Sequence, residues 1–494
     1  MPKLRFHNTA TGRKEEFVPL VPGRAGVYTC GPTVWNFAHI GNFRTFLFYD
    51  LLRRHLLASG FQVNQVMNLT DIEDRIIRLA GERKTTIRAY VEPYEKAFLE
   101  DLSTLRVQQP EHTPRATEHV PGMVAMVARL LEQGNAYQAD GDVYYRIAGF
   151  PAYGELAHLD RSGLRAGARV AQGGRGKKGS AGPPEGGISP QRLKADDYDK
   201  ESVSDFALWK GEAPGDAEVG AAWDAPFGRG RPGWHIECSV MAKELLGLTL
   251  DIHAGGIDLL FPHHQNEVAQ SEAANGVRFV DCWLHSEHLA DATGAKMSKR
   301  FGNIATLRDL VDAGHDPLAI RFFLMASAHY RTRLRLDEEA IRAAGEQVRR
   351  LREFSRRVDR FEPAPGVPNE RLVVRVEAAL ASYRAALDDD LNLPQGVGFV
   401  FDAVRECNAA IDRGEAGPAA KAAMRVLIDA ADNHLDILRG GEVELEEEVE
   451  RLIAERQTAR AGRDFARADA IREELRAQGI VLEDAKEGIR WRKA

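Results

Sequence analysis

From Gly26 to about Val107 the hydrophobic pattern switches repeatedly between two periods, and this switching restricts the folds open to the chain. A short β-prone run, Gly26-Val27-Tyr28-Thr29, leads into the polar stretch CGPTVWNFAHIGN (30–42). FRTFLFYDLLRRHLLASG (43–60) then carries apolar residues at helical spacing and ends on Gly60, a suitable helix stop. FQVNQVMNLT (61–70) is a second β-like run, and a long charged helix is expected from Asp71. Strand, helix, strand, helix makes half of a parallel-sheet α/β domain. In such folds the loop between a strand and the next helix N-terminus is where anionic groups are placed.

The rest of the chain follows other patterns. Residues 113 to about 230 break the rhythm and contain AQGGRGKKGSAGPPEGGISP (171–190), with seven glycines and three prolines, which reads as a flexible loop. Lys177 and Lys178 invite a phosphate-cradle reading, but no Gly-Lys-Ser/Thr spacing follows them. Alternation resumes at LTLDIHAGGIDLLFPHHQNEVAQSEAANG (248–276). Beyond about residue 335 the chain turns helical, with breaks at FEPAPGVPNE (361–370) and GEAGPA (414–419). A glutamate cluster at 441–450 separates a small C-terminal module from that helical part.

The chain has 494 residues, 44% hydrophobic and 28% charged, which suits several domains with proper cores. The start, MPKLRFHNTA, has no apolar signal-peptide core, and no run of about eighteen apolar residues occurs, so a cytoplasmic protein with no membrane partner is expected. Four cysteines in so long a chain do not make a disulfide framework; metal or catalytic use is favoured. With net charge −7, a nucleic-acid partner must be held by local basic patches.

Three segments carry metal-binding residue types. His263 and Glu267, in FPHHQNEVAQSE, are four apart and share one helical face, whereas His264 points elsewhere. GWHIECSVM places Cys238 beside an aromatic residue and a histidine. With Cys30 these supply two thiolates, one imidazole and one carboxylate, a set that suits tetrahedral Zn²⁺. Spacing alone leaves ordinary readings open, since a His and a Glu four apart are commonly surface neighbours and a lone cysteine commonly packs in a core. Cys282 and Cys407 lack such company and read as packing residues. DATGAKMSKRFGN (291–303) carries Lys296 and Lys299 on a polar, glycine-flanked loop that suits a polyphosphate, or is simply a solvated basic loop.

Together these segments closely resemble the cysteinyl-tRNA synthetases, class I aminoacyl-tRNA synthetases. AHIGN (38–42) matches the HIGH-type motif and KMSKR (296–300) the KMSKS motif; CGPTV, GWHIECS and FPHHQNE match the zinc-binding segments. The similarity continues through DPLAIRFFLMASAHYR (316–331) and FARADAIREELRAQGIVLEDAKEGIRWRK (465–493), nearly the whole chain. The resemblance implies a class I Rossmann-type catalytic domain with an inserted connective domain, followed by a helical bundle and a small C-terminal anticodon-binding module. The corresponding boundaries are 1–112 and 231–290 for the catalytic halves, 113–230 for the insertion and 291–335 for the KMSKS and stem-contact region, with 336–440 the bundle and 441–494 the C-terminal module. The last KMSKS position is Arg300, Gln265 stands where a glutamate is common, and the loop at 171–190 is longer than the family requires.

The implied reaction joins L-cysteine to ATP as cysteinyl-adenylate, releases pyrophosphate, and passes the cysteinyl group to tRNA(Cys). One Zn²⁺ on Cys30, Cys238, His263 and Glu267 would bind the substrate sulfur, and Mg²⁺ would arrive with ATP. His39 and Asn42 would contact the triphosphate, with Lys299 and Lys296 meeting the departing phosphates. Gly255, Gly256 and Asp258 would hold the adenosine, though a glycine pair after a strand is often only a turn. Trp234, Thr33 and Thr70 would line the cysteine pocket. Discrimination against serine of about 10⁴–10⁵ exceeds what pocket packing supplies, and a metal–sulfur bond closes that gap without an editing domain. A monomer is expected. Two rivals remain at this point, a mycothiol-pathway cysteine ligase of the same architecture and a non-enzymatic zinc-dependent RNA-binding protein. Removing residues 171–190 should leave adenylate formation nearly intact, because the segment has almost no apolar residues to bury. A large loss of pyrophosphate exchange in the deleted protein would show that reading to be wrong.

Overall fold

The computed structural model describes residues 3–159, 205–290, 305–363, 366, 369–438, 442–462, 464–477, 480–485 and 488–493. The glycine-rich stretch 171–190 and the segment with Lys296, Lys299 and Arg300 lie outside these residues. The chain forms two compact units, Met1–Leu435 and Asp436–Ala494.

In the first unit a hairpin, β1 (Arg5–Asn8) and β2 (Arg13–Glu16), precedes the strand β3 (Arg24–Thr29), the helix α1 (Ile40–Ala58) and the strand β4 (Gln62–Met67). α1 is buried nearly all round: Phe43, Phe46, Leu47, Leu51 and Leu52 lie in the interior, and so do Arg44, Asp50, Arg54 and His55. It is therefore an interior helix, not a surface one. The long helix expected from Asp71 is two helices, α2 (Asp74–Glu82) and α3 (Ile87–Thr104). Lys84 in the left-handed region breaks the run, and Thr86 caps α3 by accepting from Ala89 N.

After α4 (Val120–Glu132) comes a separate antiparallel sheet, β5 (Ala136–Ala139), β6 (Asp142–Tyr145), β7 (Phe206–Gly211) and β8 (Gly230–Pro232), paired in that order. The chain then returns through α5 (Trp234–Leu246), β9 (Leu250–Gly256), α6 (Gln265–Asn275) and β10 (Val280–Ser286). The central sheet has the order β10-β9-β3-β4, with every pair parallel. Val27 lies opposite both Gln65 and Ile252, and every residue of β9 is buried, as a strand covered on both faces requires.

β11 (Leu289–Ala290), α7 (Leu307–Asp312), α8 (Pro317–Ala326) and β12 (Leu334–Arg335) lead to four helices, α9 (Glu338–Arg360), α10 (Glu370–Asp388), α11 (Leu393–Asp412) and α12 (Pro418–Leu435). The bundle is tied to α1 by buried polar contacts. Arg321, fully buried on α8, donates to Asp50 Oδ2 at 2.6 Å and to the carbonyls of Leu105 and Leu435. His55 faces Asp388 at 3.0 Å, and Tyr330 donates to Asp390 at 2.7 Å.

The second unit holds α13 (Glu442–Ala461), α14 (Phe465–Ala477) and the antiparallel pair β13 (Ile480–Ala485) and β14 (Gly488–Lys493). Its own core joins Val449, Leu452, Ile471, Leu475 and Ile480. The glutamate cluster read as a separator is instead largely the first half of α13. Among the described residues no helix is long and apolar enough to cross a membrane.

Candidate active site

The chemistry-bearing residues gather at the carboxyl edge of the central sheet, where the chain leaves β3 for β4 on one side and β9 pairs on the other. That reversal is where open α/β sheets leave a crevice. Cys30 follows β3 directly, its N–H donating to Ala254 O at 3.2 Å. Gly31 makes the turn possible: a Cβ there would lie 1.7 Å from Asn68 O. α5 carries Trp234 and Cys238 one turn apart, and a helical turn running into α6 carries His263 and Glu267.

The donor atoms of Cys30, Cys238, His263 and Glu267 all lie within 4.8 Å of one another, and all four residues are buried. His263 Nε2 is 3.0 Å from Glu267 Oε1. The electrostatics are those of a cluster waiting for positive charge. A contact with the Cys30 thiol, outweighing burial, holds Cys238 down to about 6. Burial, then Cys238, pushes Cys30 well above the usual thiol range. Burial would depress His263, but Glu267 and Cys238 lift it to about 10. Burial would raise Glu267, yet His253 and His263 bring it down to about 2. A cation at the centre would satisfy both sulfurs, the imidazole and the carboxylate while displacing the protons of Cys30 and His263.

Sequence reasoning missed the histidines behind this cluster. His253 Nε2 sits 2.9 Å from Glu267 Oε2, His264 Nε2 is 3.4 Å from Cys30 Sγ, and His235 meets His263 at 3.0 Å. His264 also bonds His285 at 2.8 Å, which in turn meets Thr9 Oγ1 at 2.8 Å. Cys30, His253, His264 and Glu267 form a second, overlapping donor group. A histidine inside a buried strand such as β9 gives no periodic signal; the cue available was His264 itself, set aside for lying on another helical face. Rings already bonded to Glu267 and Cys30 suit the role of orienting those ligands.

The other expected residues border the same crevice. His39 caps α1, and its N–H donates to Asn42 Oδ1 at 3.0 Å, a reciprocal arrangement that fixes the helix start. Ile40 N donates to Ala305 O at 2.9 Å, so the chain immediately after the lysine-bearing segment is joined to this helix N-terminus. Gly255 and Gly256 end β9. A Cβ on Gly255 would lie 2.3 Å from the His264 ring, so that glycine admits the histidine cluster. Asp258 is exposed just beyond. Thr33 and Thr70 form a parallel bridge. Trp234 stacks on His263 with ring centres 4.2 Å apart. Thr33, Trp35, Arg231, Trp234 and Glu237 line a polar cleft of about 330 Å³. Burial, then the negative charges of Cys238 and Asp71, push Glu237 well above the usual carboxylate range. Cys282 and Cys407 lie outside both donor groups.

Residues 16–346 match the family described as tRNA synthetases class I (C) catalytic domain. Residues 382–439 match the DALR domain, and 442–492 the cysteinyl-tRNA ligase anticodon binding domain. The chain is 45% identical to a cysteine–tRNA ligase of Solibacter usitatus, covering 99% of both chains. It is 42% identical to one of Leptospira interrogans over the full length of both. Among solved structures it is similar to a Mycobacterium tuberculosis methionyl-tRNA synthetase at 12% identity, with TM-score 0.57, covering 84% of this chain and 90% of that one. An Agrobacterium radiobacter LeuRS in a ternary complex gives TM-score 0.59 at 11% identity, covering 85% of each chain. The last two likenesses speak for the class I fold alone. With the catalytic-domain match and full-length relatives at this identity, the chain belongs to the cysteine–tRNA ligase family of class I aminoacyl-tRNA synthetases.

Proposed function

We propose that this site activates L-cysteine with ATP and delivers it to tRNA(Cys), with one Zn²⁺ held by Cys30, Cys238, His263 and Glu267. The observation carrying this reading is the convergence of those four buried donors beside the cleft lined by Thr33 and Trp234. The donor set fits the metal: two sulfurs, one held acidic, with an imidazole and a carboxylate, match the ligand preference of Zn²⁺. When bound, Zn²⁺ supplies a Lewis acid that prefers a cysteine sulfur to the harder, far less acidic serine hydroxyl.

The chain's own residues have separate tasks around it. Trp234 walls the side-chain pocket, and Thr33 and Thr70 take polar groups of the amino acid. His39 and Asn42, at the N-terminus of α1, meet the triphosphate of ATP, which enters as its Mg²⁺ complex; helix N-termini favour such negative charge. The backbone of Gly255 and Gly256 borders the adenosine and Asp258, exposed just beyond, offers it a carboxylate. The cysteine carboxylate attacks the α-phosphate and pyrophosphate leaves toward Lys299 and Lys296, so no enzyme nucleophile is needed. Residues 336–440 and 441–494 serve the anticodon side of the tRNA. The matches at 382–439 and 442–492 support that assignment, and the amino-sugar ligase reading is not favoured.

Elemental analysis of the purified protein is expected to find about one zinc per chain. A fully active, metal-free protein would overturn the assignment. Lys299→Ala is expected to slow single-turnover adenylate formation by about 10²–10³-fold, the usual cost of losing one charge-stabilising donor, while the apparent cysteine affinity barely moves. Unchanged single-turnover rates would reject a role on the departing pyrophosphate.

A further inference from the structure

One buried acid beside the four-donor cluster has no basic partner among the described residues. Glu237 is 1% exposed, precedes Cys238 on α5, and lines the cleft together with Thr33 and Trp234. Its carboxylate accepts from Thr70 Oγ1 at 3.2 Å, and Thr70 in turn accepts from Asn68 Nδ2 at 3.2 Å. Three basic side chains line the same cleft, and each is engaged elsewhere. The Arg75 guanidinium lies over the Trp35 ring, 4.5 Å from its centre. Arg231 bonds Asp216 at 2.6 Å and Asp74 at 2.8 Å, and Lys210 bonds Asp74 at 2.8 Å. Among the described residues no Lys, Arg or His lies within ion-pair distance of Glu237, whose one side-chain hydrogen bond is the one from Thr70.

A buried carboxylate without a cation is costly, and a hydroxyl donor satisfies only part of it. The missing partner is therefore sought in the ligand. An amino acid whose sulfur reaches the cluster carries its α-ammonium only three bonds away. Cys238, a member of that cluster, is the next residue after Glu237 on the same helix. We infer that Glu237 is the anionic half of the α-ammonium subsite, aimed by the Thr70 hydroxyl, and so a determinant of specificity for α-amino acids over other thiols. This rests on the reading that cysteine is the substrate.

The test uses 3-mercaptopropionate, which keeps the thiol and carboxylate of cysteine but has no ammonium, as a competitor in ATP–pyrophosphate exchange by the metal-loaded protein. In the unaltered protein its Ki is expected about 10- to 100-fold above the KM for cysteine, the usual worth of a charge-assisted hydrogen bond. Equal affinity for the two would overturn the inference without any variant. Glu237→Gln should raise the KM for cysteine by a similar factor while leaving the Ki of 3-mercaptopropionate, the KM for ATP and the zinc content nearly unchanged. Loss of affinity for both thiols alike, or for neither, would also overturn it. Should Glu237→Gln fail to fold, Glu237→Asp keeps the charge and should retain most of the preference for cysteine; losing that preference counts against the subsite. An unaltered, zinc-loaded protein without any cysteine-dependent exchange would instead fail the substrate reading itself.

Discussion

Cys238→Ser is expected to empty the cluster of zinc and lower cysteine-dependent pyrophosphate exchange by about 10³-fold or more. Cys238 is the thiol held down to about 6, so of the two sulfurs in the donor group it is the one ionised near neutral pH. A serine hydroxyl at that place is harder and stays protonated, leaving His263, Glu267 and a Cys30 thiol that burial keeps neutral. Disturbing only the partners of metal ligands commonly costs about 10–100-fold, and removing a ligand should cost more. The KM for ATP should move little, because His39 and Asn42 sit on a different element, at the start of α1. Cys282→Ser is the control: that thiol stands outside both donor groups and should keep about one zinc per chain. Metal analysis and exchange rates on the two variants decide the matter. Full zinc content in Cys238→Ser would remove this residue from the ligand set.

The second large effect concerns the C-terminal unit. A chain ending at residue 438 should form cysteinyl-adenylate at close to the full-length rate but charge tRNA poorly, with the apparent KM for tRNA raised by about 100-fold. The unit has its own core around Val449, Leu452, Ile471 and Leu475, so its removal takes away no residue of the crevice. Stacking of a base on an aromatic side chain contributes about 1–3 kcal/mol in single-stranded RNA recognition, and one or two such contacts account for the loss. Not every basic residue in the unit is available for this. Arg467 on α14 reaches across to Glu455 on α13 at 2.7 Å, an ion pair between the two helices. Charging assays with exchange measured in parallel separate the two steps. Equal charging by the shortened chain would mean the module does something else.

The sheet and the four-donor cluster were legible in the sequence because each rests on local signals. β3, α1 and β4 show their periods directly, and the residue types of Cys30, Cys238, His263 and Glu267 are chemically suggestive before their meeting point is known. The rings of His235, His253 and His285 were not legible, since their roles come from packing across α5, β9 and β10. Glu237 was hidden for a similar reason: an acid next to a cysteine means little until Thr70 and the cleft are placed around it. The break between α2 and α3 depended on one left-handed residue, Lys84, in a charged stretch whose composition favours helix throughout.

The innermost strand pair of the sheet has a consequence for how the protein comes into being. β3 bonds β9, yet more than 200 residues separate them along the chain. Closing so long a loop costs entropy that grows only slowly with length, so equilibrium stability tolerates the arrangement. Time does not. At about 5–20 residues per second a ribosome needs some tens of seconds to deliver β9 after β3 has emerged. Throughout that interval one side of β3, which runs up to Cys30, has no strand to pair with, and α1 is covered only by β4 and by Phe98 of α3 among the elements already made. Nascent chains are therefore most exposed to chaperones and to wrong strand partners while the intervening antiparallel sheet is being made, and a ribosome stalled there would present a half-sheet as an adhesive edge.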